Sequence, residues 1–318
     1  MTRSIVLGLV GDSGTGKTTL TRGLLRVLGA EHVSHLSGDD YHRYERAQRA
    51  ELGVTPLDPA ANHIDILTQH LVHLRRFEPV LKPVYDHSSG TFAPATYLRP
   101  APFLIAEGLL NFHTETLRSA HEIRVFLAPQ EGLQRAWKVK RDCTRRGYTT
   151  SEALAELDRR HDDARAFILP QCDHADIVVA FRADRGKGPA HLDADVILRN
   201  TLPHPDLSPL IDGSDGGPAL IEREHERLLR IPGDLDPEHA AVLEEAIWER
   251  ISFANHLRLR RLGELTVGTD LLRSDSLALV QLILLYHLVC GRATIDNGGE
   301  PPRAQRRGGT GADSALQI

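Results

Sequence analysis

The run Gly11-Asp12-Ser13-Gly14-Thr15-Gly16-Lys17-Thr18 constrains this chain more than any other feature. It satisfies G-x-x-x-x-G-K-[ST] at every fixed position. The apolar run Ile5–Val10 precedes it, and a helical pattern over 20–28, stopped by Gly29, follows. A buried strand, a glycine-rich turn and a helix in that order form one unit of an α/β sheet. The glycines let backbone N–H groups turn inward around phosphate oxygens. Lys17 can reach the β- and γ-phosphates, and the Thr18 hydroxyl can sit on Mg2+. The positive end of the following helix points at the same anion, and Thr19 joins Gly11–Thr18 in the expected nucleotide-binding set. A chance glycine-rich turn would not come with both flanks correct. The loop therefore indicates nucleoside triphosphate binding and says nothing of what receives the phosphate.

The pattern of strand and helix continues. Segments 32–36, 103–106, 123–127 and 177–181 read as strands. Asp58-Pro59 reads as a cap with proline at the first helical position, opening a helix through Ile64, Leu67, Leu71 and Leu74. A long polar helix spans about 130–145. This order predicts a mostly parallel sheet with flanking helices over residues 1–185. Composition shifts at Arg185-Gly186-Lys187-Gly188-Pro189. Residues 186–292 then read as a smaller α+β extension, with a strand at 196–198, a loop at 208–217 and helices at 237–259 and 276–290. The Gly-, Pro- and Arg-rich tail 293–318 is expected to be disordered. The length of 318 residues suits two domains or one with a large extension.

Lys plus Arg number 38 and Asp plus Glu 43, a net charge of −5. That balance argues against sequence-independent nucleic-acid binding, which needs a basic surface. Three scattered cysteines, Cys143, Cys172 and Cys290, form neither a disulfide framework nor a zinc site and suit a reducing cytoplasm. No targeting segment is visible, and the apolar stretch 277–290 is shorter than the ~20 residues of a membrane span. It reads as a buried helix, and no membrane partner is expected.

Three further segments bear on the acceptor. Asp39 follows the second strand, where the ligand crevice of an open sheet lies, and could take a proton from an attacking hydroxyl. A turn or capping aspartate would look the same in sequence. Glu107 ends the strand at 103–106 and could sit near Mg2+ or be a solvated turn carboxylate. Residues 137–146 concentrate five cations, with Lys138, Arg141 and Arg145 on one helical face. Such a face could close over transferring phosphates, or be a solvated basic helix. Lys82, Tyr85 and His87 precede a turn at 88–91 and would suit a small polyhydroxy phosphate, although a satisfied surface turn accounts for the segment taken alone.

Together GDSGTGKTT, DDYH, VTPLDPAANHID, KPVYDH, AEGLL, AWKVKRDCTRRGYT and RAFILPQ resemble the phosphoribulokinase family over roughly residues 4–181. The likeness is greatest to its plant and cyanobacterial branch, within the wider group of P-loop kinases that includes uridine kinase. The resemblance implies ATP and Mg2+ as cofactors and a small sugar phosphate, D-ribulose 5-phosphate, as acceptor. It implies Asp39 as catalytic base. His42, Arg46, Lys82, Tyr85 and His87 would hold the sugar phosphate. Lys138, Arg141, Asp142 and Arg146 would form the lid for phosphoryl transfer and sugar phosphate binding. Glu107 would lie near the metal with Thr18, and Arg160 near the nucleotide. A homo-oligomer, a dimer first, is also implied. The chain departs from the pattern at Thr15 and Ser37, where plant-type members carry redox cysteines. It also departs at Leu110-Asn111, where the family often reads His-Pro, and at His161-Asp162, usually Lys-Pro.

Overall fold

A continuous apolar strand needs cover on both faces, and the computed structural model of the protein supplies it. The structure describes residues 3–183, 187–259, 261–267 and 270–301, with backbone alone at 145, 146, 259 and 267. In chain order the elements begin with β1 (Ile5–Val10), α1 (Lys17–Leu28), β2 (Val33–Ser37), α2 (Arg46–Leu52) and α3 (Ile64–Arg75). Next come β3 (Val80–Asp86), β4 (Thr91–Leu98), β5 (Phe103–Gly108), α4 (Glu115–Ser119) and β6 (Ile123–Leu127). α5 (Glu131–Arg146), α6 (Thr150–Arg159), the single turn α7 (His161–Asp163) and β7 (Ile177–Ala183) follow. The remainder comprises β8 (Leu192–Arg199), β9 (Ala219–Glu222), β10 (Glu226–Ile231), α8 (Pro237–Arg250), β11 (Glu264–Val267), β12 (Asp270–Arg273) and α9 (Asp275–Asp296).

Eight strands make one sheet in the order β2-β5-β1-β6-β7-β8-β10-β9. The first five run parallel, and β8, β10 and β9 are added antiparallel. Alternate residues of β1 serve opposite layers, as a pleated strand requires. Ile5, Leu7 and Leu9 pack with α1, α8 and α9, while Val6 packs with Leu67, Leu71 and Leu74 of α3. After β1 the chain crosses to β2 and β5 on one side and then to β6 on the other. The resulting crevice opens at the carboxyl end of β1.

Several expectations change here. The helix expected to run on from Asp58-Pro59 is two pieces: Asp58 caps a single 3-10 turn, Pro59–Ala61, and α3 begins at Ile64. The helix expected over 237–259 ends at Arg250, and a 3-10 stretch, Ser252–Leu259, carries on after a break at Ile251. Of the tail expected from 293, residues 293–296 form the end of α9. Residues 302–318 lie outside the described residues, as does the composition shift at 184–186. On either side of that shift β7 and β8 pair with each other, so both halves of the chain share one sheet. The turn at 88–90 joins two strands, β3 and β4, that were not foreseen. α9 is long and apolar enough to cross a membrane, yet most of it is buried inside the fold. There Gly23 of α1 lets Gln281 lie close: a Cβ at Gly23 would meet its amide at 2.1 Å.

Candidate active site

The glycine-rich loop connects β1 to α1 at the crevice. Gly14 and Gly16 take φ values of 86° and 93°, a region that L side chains rarely adopt. A Cβ on Gly14 would stand 2.9 Å from that of Lys138, so the loop is pressed against α5. The Thr15 hydroxyl donates to the Asp12 carbonyl at 2.9 Å, bracing the turn. The Asp12 carboxylate accepts from the Ser13 N–H at 2.5 Å and the Gln134 amide at 3.0 Å. Lys17 Nζ donates to the Gly11 and Asp12 carbonyls at 2.7 and 2.9 Å. Burial pulls the Lys17 ammonium below its usual range, opposed by the charges of Asp39, Glu107 and Asp12. A cavity of about 1530 Å3 opens over this loop, lined by Ser13 to Thr19 and reaching to Asp39 and His87.

Asp39 sits in a 3-10 turn directly after β2. Its Oδ2 lies 3.3 Å from His87 Nε2. Burial would raise its pKa, but the His87 hydrogen bond and the neighbouring positive charges of His87 and Lys17 outweigh that and hold it well below the carboxylate range. The next residue does a different job. Asp40 accepts from Lys82 Nζ at 2.5 Å and from the Tyr85 N–H at 2.9 Å, tying the turn to β3. Asn62 donates to the carbonyls of Pro56 and Asp58, which fixes its amide so that Oδ1 faces His42 Nδ1 at 2.8 Å. Nδ1 therefore carries the hydrogen, and Nε2 is left as an acceptor in the neutral ring. Burial lowers the His42 pKa to about 4, so the ring is neutral at pH 7. Arg46 and Arg49, three apart on α2, both line the cavity. Arg46 donates to the His87 carbonyl at 2.5 Å, and Arg49 donates to the Tyr85 hydroxyl at 2.8 Å.

Glu107, next to last in β5, lies beside its register partner Ser37 of β2. It is buried, accepts from the Thr21 hydroxyl at 3.1 Å, and has His35 Nε2 at 3.3 Å. Among the described residues no group of three or more His, Cys, Asp or Glu could hold a metal by itself. The donors at hand are the Thr18 hydroxyl and the Glu107 carboxylate, both lining the cavity. Hard oxygens, few from protein and the rest from water and phosphate, are the donor set that suits Mg2+.

α5 lies across the loop. Arg141 donates to Ser13 Oγ at 2.9 Å and to Asp142 at 3.0 Å. Lys138 is fully buried and pairs with Asp142 at 3.0 Å, and burial lowers its pKa to about 8. Arg160, at the end of α6, donates to Glu156 at 2.6 Å and lines the cavity. Burial lowers its pKa, against the charges of Asp12, Asp142 and Asp39.

The profile of the Phosphoribulokinase / Uridine kinase family matches residues 6–185, more than half of the chain. The chain belongs to this family. A phosphoribulokinase of Synechocystis is 35% identical over 177 residues, covering 56% of this chain and 53% of that protein. A uridine kinase of Staphylococcus epidermidis is 29% identical over 183 residues, covering 56% of this chain and 88% of that protein. The chain thus spans about half the length of the phosphoribulokinases it matches. The structure of a phosphoribulokinase from Rhodobacter spheroides superimposes with a TM-score of 0.59 at 17% identity. That match covers 82% of this chain and 100% of the other, and shares the fold.

Within this family member the structure gathers the phosphate loop, Asp39, His42, Arg46, Tyr85, His87, Glu107, Arg141, Asp142 and Arg160 around one cavity. Four expected residues do not line it: Gly11 and Asp12 at the start of the loop, and two lysines. Lys82 is turned onto Asp40, and Lys138 onto Asp142 beneath the loop. The side chains of Arg145 and Arg146 lie outside the described residues. Arg49, Trp137, Tyr148 and Arg159 line the cavity and were missed. A signal for Arg49 existed: Glu45 and Gln48 form a capping box that opens α2, and helical spacing then puts Arg49 beside Arg46.

Proposed function

We propose that this protein is an ATP-dependent kinase that phosphorylates the 1-hydroxyl of D-ribulose 5-phosphate, giving D-ribulose 1,5-bisphosphate. The observation that carries the proposal is one cavity holding Lys17, Asp39 and the arginine pair Arg46 and Arg49. The loop N–H groups and Lys17 take the triphosphate. Turning Nζ outward exchanges two neutral carbonyl acceptors for an anion, and charge-assisted bonds are roughly twice as strong. Asp39, ionised at working pH, accepts the hydrogen bond of the attacking hydroxyl and takes its proton as phosphorus is transferred. Neutral His42 offers Nε2 as an acceptor for a sugar hydroxyl. With Lys82 neutralised by Asp40, the cations for the acceptor's own phosphate are Arg46 and Arg49. Arg141 reaches over the loop to Ser13 and can stabilise charge on the transferring group. Thr18 and Glu107 would hold Mg2+, which supplies charge neutralisation on the phosphates.

A nucleoside acceptor is the second reading, favoured by the uridine kinase relative that the chain covers almost completely. A coupled assay offering ribulose 5-phosphate, uridine and pantothenate with ATP separates the two. ADP release with ribulose 5-phosphate alone supports the proposal; release with uridine alone supports the second reading.

A further inference from the structure

His42 directly follows the 3-10 turn that carries Asp39, and its ring is enclosed: the residue is 4% exposed. The Tyr85 ring meets it edge-on, with centroids 4.9 Å apart and planes at 88°. The charged or titratable groups that face it are Asp39 of its own turn, Arg49 of α2, Tyr85 of β3 and His87 just beyond β3. The one hydrogen bond of the ring, among the described residues, goes elsewhere. Its Nδ1 lies 2.8 Å from Oδ1 of Asn62, whose backbone also bridges that of His42. Asn62 is itself buried, and its amide has one possible orientation. Nδ2 donates to the carbonyls of Pro56 at 3.0 Å and Asp58 at 2.7 Å. A flipped amide would set its oxygen against two carbonyl oxygens, none of which carries a hydrogen.

We infer that Asn62 is a positioning residue for the acceptor: it holds the hydrogen of His42 on Nδ1, so that Nε2 is an uncharged acceptor that selects a hydroxyl and not a phosphate. The inference rests on the kinase reading for the identity of the acceptor. A free histidine ring prefers its hydrogen on Nε2, and in a protein the bond made by one nitrogen decides the state of the other. Burial lowers the pKa of this ring to about 4, so at pH 7 it carries a single hydrogen. With that hydrogen spent on Asn62, the lone pair of Nε2 can accept from a hydroxyl but repels the oxygens of an ionised phosphate, which are acceptors themselves. His42 lines the cavity together with Arg46 and Arg49. The two kinds of side chain therefore divide the acceptor between them. The arginines take its phosphate, and His42 takes one of its hydroxyls.

The test uses the full chain with isotope-labelled histidines. Long-range proton–nitrogen NMR spectra show which ring nitrogen carries the hydrogen, and the signals lost in His42→Gln assign the ring. Wild type at pH 7 should carry the hydrogen on Nδ1. Asn62→Leu removes the oxygen at similar volume: the hydrogen should move to Nε2, and KM for ribulose 5-phosphate should rise roughly 10-fold while KM for ATP stays. Asn62→Asp restores an oxygen at Nδ1 but adds a charge that favours the doubly protonated ring. Its KM for ribulose 5-phosphate, relative to wild type, should be near one at high pH and grow as pH falls and Nε2 gains a hydrogen. Melting curves check both folds, and the aspartate variant decides alone if the leucine variant does not fold. A wild-type ring with its hydrogen on Nε2, or a KM ratio for Asn62→Asp that is flat with pH, would overturn the inference and leave the kinase reading standing. If wild type does not use ribulose 5-phosphate, the kinase reading of the acceptor fails, and the spectra still decide whether Asn62 sets the ring.

Discussion

The sides of the cavity proposed for the triphosphate and for the acceptor are built in opposite ways. On the phosphate side the candidate residues are eight consecutive ones, and the strand and helix that flank them fix their geometry. On the acceptor side Asp39, Arg46, Tyr85 and His87 come from a turn, a helix and a hairpin spread over residues 39–87. They are joined by bonds such as Tyr85 N–H to Asp40 and Arg46 to the His87 carbonyl. A local site is read from one motif. A dispersed one depends on side chains whose direction only the fold decides, so two adjacent aspartates end in different roles. Asp39 faces the cavity, while Asp40 is buried and bound to Lys82.

The largest expected effect tests the acceptor side. Asp39→Asn keeps the size of the side chain but removes the base, and kcat should fall roughly 10²–10⁴-fold. Affinity for ATP should barely change. Wild-type turnover in this variant would make Asp39 a turn residue and reduce the comparison to one functional side.

The matching change on the phosphate side is Lys17→Met. It removes a charged hydrogen bond to phosphate worth about 1.5–3 kcal/mol, so kcat/KM for ATP should fall at least about tenfold. The loop backbone is unchanged, and the melting temperature should hold. Normal ATP kinetics would mean that this loop does not hold the donor.

Arg46→Ala sharpens the division. Arg46 is assigned to the acceptor phosphate, so KM for ribulose 5-phosphate should rise roughly 10-fold or more, while KM for ATP stays. Equal changes in both constants, read from initial rates, would show the two sides to be coupled.

The smallest expected effect is none. Thr15 is braced to the Asp12 carbonyl and Ser37 ends β2, so neither position offers a thiol. The three cysteines are free. Oxidation followed by dithiothreitol should not switch activity off and on. A recoverable loss with a mapped Cys–Cys bond would contradict this.

The same contrast explains what the sequence revealed. The parallel strands were legible because buried strands are continuous apolar runs: 123–127 and 177–181 sit within β6 and β7. β3 and β4 were not, because β4 is largely exposed and Pro83 and Pro94 break its pattern and that of its partner. Lys138 was expected on an open cationic face with Arg141. Its carbon stem instead lies under Gly14 and its charge meets Asp142, a pairing that i, i+4 spacing permits but does not demand.

The central claim is that the acceptor already carries a phosphate, held by Arg46 and Arg49. The most direct measurement compares kcat/KM of the wild-type protein for ribulose 5-phosphate and for ribulose. A site built to bond a polar group rejects an analogue that lacks it by about 10⁴–10⁵. A preference of that order for ribulose 5-phosphate is the predicted result; comparable use of both sugars would contradict it.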